Sequence, residues 1–145
     1  MNSNKRMSNS PDALVALAAK IAKSAHNGQY RRDGITPYVR HPENVAARLR
    51  GDSTAEAVGW LHDVLEDTGE TSQSLRAQGI PEEVIACVEK LTKKEGIDYE
   101  LYLASIRRDP IARKVKIADM LSNLSDNPTE KQIVKYSKGL LILLE

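Results

Sequence analysis

An internal disulfide bond is the first thing this chain has no means to make. Cys87 is the only cysteine in 145 residues, so neither a disulfide framework nor a thiolate zinc cluster can form. Its setting, EEVIACVEKL, reads as a buried helix face on which the thiol is inert packing. No run approaches the ~18 apolar residues of a membrane helix. The N-terminal MNSNKRMSNSP is polar and has no apolar signal core. Residues 1–11 are therefore expected to be a disordered lead-in to a cytoplasmic protein with no membrane partner. An excess of either charge is missing too: Lys plus Arg number 21 and Asp plus Glu 20, a formal net of +1. Domains that hold nucleic-acid polymers usually show a net basic footprint, so the balance argues against such a partner. It leaves room for a small phosphorylated ligand held by a few local cations.

Strand-like alternation, internal repeats and a domain linker are also absent, and what remains is helical almost throughout. Asp12 can cap a helix whose apolar positions Leu14, Leu17, Ala18, Ile21, Ala22 and Ala25 recur at helical spacing, and Asn27-Gly28 ends it. Residues 28–41, GQYRRDGITPYVRH, form a loop, and Pro42 suits the first turn of a second helix. Ser53, with Glu56 three residues on, reads as a capping box for the next helix. Further helices are expected near 72–78, from Pro81 to about Lys93, over 98–108 and over 110–126. A last one is capped by Thr129 and Gln132. The fold class is all-α: one compact domain over 12–145, with about seven to eight helices.

One stretch of that pattern is out of place. GWLHDVLEDT, residues 59–68, carries an imidazole and three carboxylates through an otherwise apolar helix. On a continuous helix His62 and Glu66, Asp63 and Glu66, and Asp63 and Asp67 share one flank, while Val58, Leu61 and Leu65 face the core. Clustered carboxylates raise one another's pKa, and a divalent cation removes that difficulty. A His and Asp donor set suits Mn, Fe or Zn better than Mg or Ca. One helix cannot close a coordination sphere. His41, between Pro37 and Pro42, and the pair Asp119 and Asn123 in VKIADMLSNL are candidate donors from two further elements. His26, just before Asn27-Gly28, reads instead as a structural residue whose imidazolium favours the helix C-terminus.

Taken together, AHNGQYRRDG, TPYVRHPENVA, LHDVLEDTGET and VKIADMLSNL resemble the HD-domain hydrolases of the RelA/SpoT type, from about Leu14 to the end of the chain. The chain looks closest to their small stand-alone members, being too short to hold a nucleotide synthetase domain. The resemblance implies a guanosine-3′,5′-bis(diphosphate) 3′-pyrophosphohydrolase that uses Mn²⁺ or another divalent transition metal on the nucleotides (p)ppGpp. By motif, His41, His62, Asp63 and Asp119 would be metal ligands. Glu66 and Asp67 would orient and deprotonate the attacking water. Arg31 and Arg32 would contact phosphate or base, Asn123 the ribose or phosphate, and Tyr136 would pack on the nucleotide. The chain departs from the family's pattern in three places: the segment Gly34–His41 is one residue longer, and Met120 and Ser122 replace the usual residues. These changes are expected on the substrate side more than the metal side. Two other readings stay open here: action on another phosphorylated nucleotide such as NADPH, and a nucleotide-binding regulatory module without turnover.

Overall fold

The computed structural model describes residues 10–145, so residues 1–9 of the expected lead-in lie outside the described part. Among the described residues nine helical segments run in order: α1 (Pro11–Ala25), α2 (Arg40–Ala47), α3 (Ser53–Leu61), α4 (Val64–Asp67), α5 (Ser72–Ala77), α6 (Glu82–Leu91), α7 (Tyr99–Arg107), α8 (Pro110–Leu124) and α9 (Glu130–Leu144). No strand occurs among the described residues. One isolated antiparallel bridge joins Tyr30 to Pro37. The all-α expectation holds, and α3 and α4 together are the single helix read from the sequence, broken at His62-Asp63.

Helix α2 starts at Arg40, two residues inside the expected loop, and two helix caps differ from expectation. Ser10, not Asp12, caps α1: its side chain accepts from Ala13 N at 3.1 Å. Pro11 fills the first helical position, where its missing N–H leaves no bond unmade, and Asp12 falls in the first turn. The helix therefore begins one residue before the expected domain boundary. Likewise Asp52, not Ser53, caps α3 by accepting from Ala55 N at 3.1 Å. Glu56 is then one position too late to close a capping box. The box at Thr129 and Gln132 is present as read.

Helix α3 is the hub. Ala55, Ala57, Val58, Gly59, Trp60 and Leu61 are all buried, and a helix apolar on every side belongs in the middle of a bundle. It packs against α1, α2, α6 and α8, while α8 also meets α2, α6, α7 and α9. The α2–α3 crossing is close at Gly59, where a Cβ would lie 3.1 Å from the Ala46 Cα. Cys87 is buried in this core, and burial pushes its thiol up to about 12, which fits the inert role expected of it. No helix among the described residues is long and apolar enough to cross a membrane.

Between α1 and α2 the chain makes a short excursion. Arg31 N donates to Thr36 O at 2.8 Å, and Tyr38 N donates to Gln29 O at 2.8 Å. Asp33 ties the tip by accepting from Ile35 N and Thr36 N, both at 2.8 Å. Gly34 supplies the positive φ of +72° that an L side chain rarely adopts. The loop thereby presents Arg31 and Arg32 beside the C-terminal half of α8 and the first turn of α9.

Candidate metal centre and its surroundings

The break between α3 and α4 shapes the centre. Consecutive residues on an uninterrupted helix point roughly 100° apart, yet His62 Nε2 and Asp63 Oδ2 lie 3.2 Å apart. Leaving the helical path at these two residues turns both inward together. The His62 ring is fixed by its far nitrogen, Nδ1–H donating to the Gly59 carbonyl at 2.7 Å. That bond selects the tautomer whose Nε2 carries a lone pair.

His41 arrives from α2 and Asp119 from α8. His41, His62 and Asp63 each offer a ligand atom within 4.8 Å of the others. Asp119 Oδ1 joins them, 2.8 Å from His41 Nε2 and 3.5 Å from His62 Nε2. All three elements expected to contribute are thus brought together. His62 Nε2 is nonetheless buried without a hydrogen-bond partner, facing two carboxylates. Such an orphan is costly unless something positive sits before it. A proton supplies one unit of charge and a divalent cation two, and the mixed N/O donors suit the latter. The residues present therefore fit a divalent metal.

The electrostatics say the same. Burial opposes protonation of His62, but the charges of Asp63 and Asp119 outweigh it and hold the imidazole well above its ordinary value. Burial pushes the Asp119 carboxyl up, and Lys116 and His62 more than reverse that, keeping it well below the usual range. Asp63, pushed up by burial and pulled down by His62, ends at about 2.

Several partners of this centre were missed in the sequence. Tyr38 O–H donates to Asp63 Oδ2 at 2.5 Å. Lys116 Nζ donates to Asp119 Oδ2 at 3.0 Å. Lys116 lies one helical turn before Asp119 on α8, so spacing from that expected ligand was the available signal, whereas Tyr38 sits in the loop before α2, where no such spacing marks it. Ser122 corrects an expectation in part. It is buried, its Oγ lies 3.2 Å from His41 Nδ1, and a hydroxyl that both donates and accepts serves either tautomer of that ring. This departure reaches one of the expected ligands directly, and Ser122 also lines the cavity beside Arg31. Met120 is fully buried and lies under Gly139 of α9, where a Cβ would come within 2.7 Å of its Cε. It is core, not pocket lining.

The other expected site residues divide into two groups. Glu66 and Asp67 lie on the short α4, each exposed at the surface yet partly desolvated by its neighbours. Glu66 Oε1 accepts from Lys93 N at 2.6 Å. Burial first, and then the neighbouring charge of Asp63, raise both carboxyls above their usual values. Arg31 Nη2 donates to Asp126 at 2.8 Å and reaches Asn123 Oδ1 at 3.5 Å, while Asn123 Nδ2 donates to Asp119 Oδ1 at 3.2 Å. The arginine and asparagine thus form one chain to the centre. Arg32 Nη2 donates to Gln132 at 3.0 Å. Tyr136 is half-buried, close enough to Asp119, Lys116, Arg31 and Arg32 for their charges to act on its hydroxyl.

His26 is buried more deeply than a helix-end histidine needs to be, at 2% exposure. Its Nδ1–H donates to Gln29 Oε1 at 2.8 Å, Gln29 Nε2 donates to the Asp67 carbonyl at 2.7 Å, and its ring packs against Tyr38 with centroids 4.9 Å apart. It ties α1 and the loop to α4.

Three cavities border Arg31 and Asp126, one of about 310 Å³ at the loop tip by Asp33 and Asn127 and two nearer the centre. The first of these two, of about 230 Å³, is lined by Thr36, Arg40, His41, Asn44 and Ser122 among others. The second, of about 210 Å³, is lined by Tyr30, Arg32, Tyr38, Asn123 and Gln132. A larger groove of about 660 Å³ lies between α6 and α7 with an apolar lining that includes Leu65, Leu101 and Tyr102. It contains none of the clustered histidines and aspartates, so size does not mark the chemistry here.

The sequence model described as HD domain matches residues 18–137. The chain is 33% identical over 129 residues to a probable guanosine-3′,5′-bis(diphosphate) 3′-pyrophosphohydrolase of Synechocystis, covering 79% of this chain and 17% of that protein. It is 32% identical over 146 residues to a probable GTP pyrophosphokinase of Mycobacterium leprae, covering 90% of this chain and 18% of that one. It therefore spans less than a fifth of the length of these curated relatives. Among solved structures, a metazoan ortholog of SpoT, described as hydrolysing ppGpp and playing a role in starvation responses, superposes with a TM-score of 0.78. That chain is 25% identical and is matched over 94% of this chain and 88% of its own. The family match takes in every residue of the cluster built above, from His26 to Tyr136, and the chain belongs to the HD-domain family.

Proposed function

We propose that the protein is a cytoplasmic, metal-dependent phosphohydrolase whose substrate is guanosine 3′,5′-bis(diphosphate) or its triphosphate form, converted with water to GDP or GTP and pyrophosphate. In this reading the helical body over 12–145 is one hydrolase domain, with manganese as the metal. The observation that carries the proposal is the convergence of His41, His62, Asp63 and Asp119 around the unpartnered Nε2 of His62. The nucleotide is supported by the curated relatives named for that reaction and by the solved ortholog of SpoT.

His41, His62, Asp63 and Asp119 would hold the ion, which when bound supplies positive charge to the phosphate and lowers the pKa of water. The protein's own groups do the rest. Arg31 releases Asp126, whose side chain is mostly exposed, and takes up a phosphate in its place, a charge-assisted exchange of one anion for another. Arg32 adds a second cation beside it. Asn123, held between Arg31 and Asp119, sets the distance from bound phosphate to the metal ligands. Tyr136 lies where a base or ribose can rest. Glu66 and Asp67 orient the attacking water and take its proton, and their raised pKa values bring them nearer to neutrality, as a general base requires.

The test is a screen of purified, manganese-loaded protein against ppGpp, pppGpp, NADPH and common nucleotides, reading released phosphate and pyrophosphate. Pyrophosphate from ppGpp and pppGpp is expected. Turnover of NADPH alone would reassign the substrate, and tight nucleotide binding with no product would make this a regulatory module.

A further inference from the structure

Asp119 is gripped from two sides. Oδ1 faces the imidazoles and accepts from Asn123. Oδ2 faces the other way and accepts from Lys116 Nζ at 3.0 Å, one turn earlier on α8. The lysine is itself confined, with a side chain 16% exposed and its ammonium 5.5 Å from the centroid of the Tyr102 ring. Tyr102 is buried in turn, its hydroxyl donating to the Leu91 carbonyl at the end of α6. A lysine on a solvated helix face keeps its rotamer freedom and its hydration. This one gives up much of both to hold a single carboxylate oxygen.

We infer that Lys116 is a positioning residue for the cation site: by occupying Oδ2 it leaves Asp119 one inward-facing oxygen, Oδ1, aimed at His41 and His62. The inference rests on the metal reading proposed above. Two effects of opposite sign meet in this residue. As a charge, Lys116 repels a cation bound nearby, so its removal alone tightens metal binding. As a clamp it holds the carboxylate at the angle that binding needs, so its removal frees the group to turn and leaves Oδ2 buried without a donor. The clamp is the larger effect. Partners that orient a metal ligand are typically worth 10–100-fold in affinity, and the lysine is held by the geometry of two neighbours.

Titration of the full chain with Mn²⁺ by calorimetry separates the two effects by sign. Lys116→Met keeps an apolar stem and is expected to weaken binding by at least about 10-fold, and Lys116→Arg, which restores a charged donor, to recover most of the loss. Equal or tighter binding by Lys116→Met overturns the inference, and so does a lowered melting temperature with unchanged affinity, the mark of a merely structural lysine. If Lys116→Met fails to fold by circular dichroism, Lys116→Gln against Lys116→Arg decides. The glutamine is too short to reach Oδ2 as the lysine does, and is expected to bind Mn²⁺ more weakly; equal affinity overturns the inference. No binding by the unsubstituted chain overturns the metal reading and this inference with it.

Discussion

Glu66 and Asp67 show how much of a residue's role depends on what it is freed to do. Their carboxyls are raised above the ordinary range, by burial first, so the folded state holds their protons more tightly than the unfolded chain does. A carboxyl of that kind contributes stability that is full below its unfolded value and is lost as pH rises through the raised folded value. Charge at these positions therefore works against the fold at neutral pH. The double variant Glu66→Gln/Asp67→Asn is expected to melt no lower than the parent at pH 7, with any advantage gone near about pH 4, where ordinary carboxyls are themselves protonated. It should bind Mn²⁺ nearly as the parent does while turnover drops by about 10²–10⁴-fold, the usual contribution of a general base. Asp63→Asn should lose metal and turnover together. Full turnover in the double variant would reduce the pair to a half-solvated helix end. At this scale the cluster proposed to hold the metal was legible because each of His41, His62, Asp63 and Asp119 interrupts an apolar pattern. Tyr38, Lys116 and Ser122 were not, because each fits its surroundings without appearing anomalous: a tyrosine in a loop, a lysine and a serine on a helix.

Elements decide whether those residues meet. Helix α2 brings His41, α3 brings His62, and the two helices touch where Gly59 meets the backbone of Ala46. Glycine inside a helix costs about 1 kcal/mol relative to alanine, so its presence at the hub marks a close approach more than flexibility. Gly59→Ala places a methyl 3.1 Å from Ala46 Cα and 3.2 Å from Ala46 N, backbone atoms that cannot swing aside. The helices must separate, at an expected loss of about 1–3 kcal/mol of stability. Because His41 moves with α2, Mn²⁺ affinity should fall as well. Thermal melts with calorimetry on one preparation check both, and a variant that melts and binds like the parent would show that the crossing has slack. Element existence was legible from period and breakers, while starts were misplaced where two cap-competent residues lie close together. Ser10 won over Asp12 because Pro11 fits the first helical position. The interruption at His62-Asp63 was hidden, since apolar residues continue at near-helical spacing from Leu61 to Val64 and Leu65. Yet that break is what lets neighbouring residues share one centre.

For the molecule as a whole, the arrangement is a helical bundle whose hub carries buried charge, offset in part by Lys116 and suited to a divalent cation. The all-α architecture followed from pattern alone; the convergence of three helices on one point did not, because sequence spacing within each helix says nothing of the distance between helices. Removal and return of the metal is the most direct test of the account. Purified protein is stripped with a chelator, ppGpp is added, and released pyrophosphate and GDP are followed before and after Mn²⁺ is restored. Expected is no release from the stripped protein and equimolar pyrophosphate and GDP on restoration, absent again in His62→Ala. Equal release by stripped and restored protein, or none by either, would contradict a metal-dependent hydrolase built on this centre.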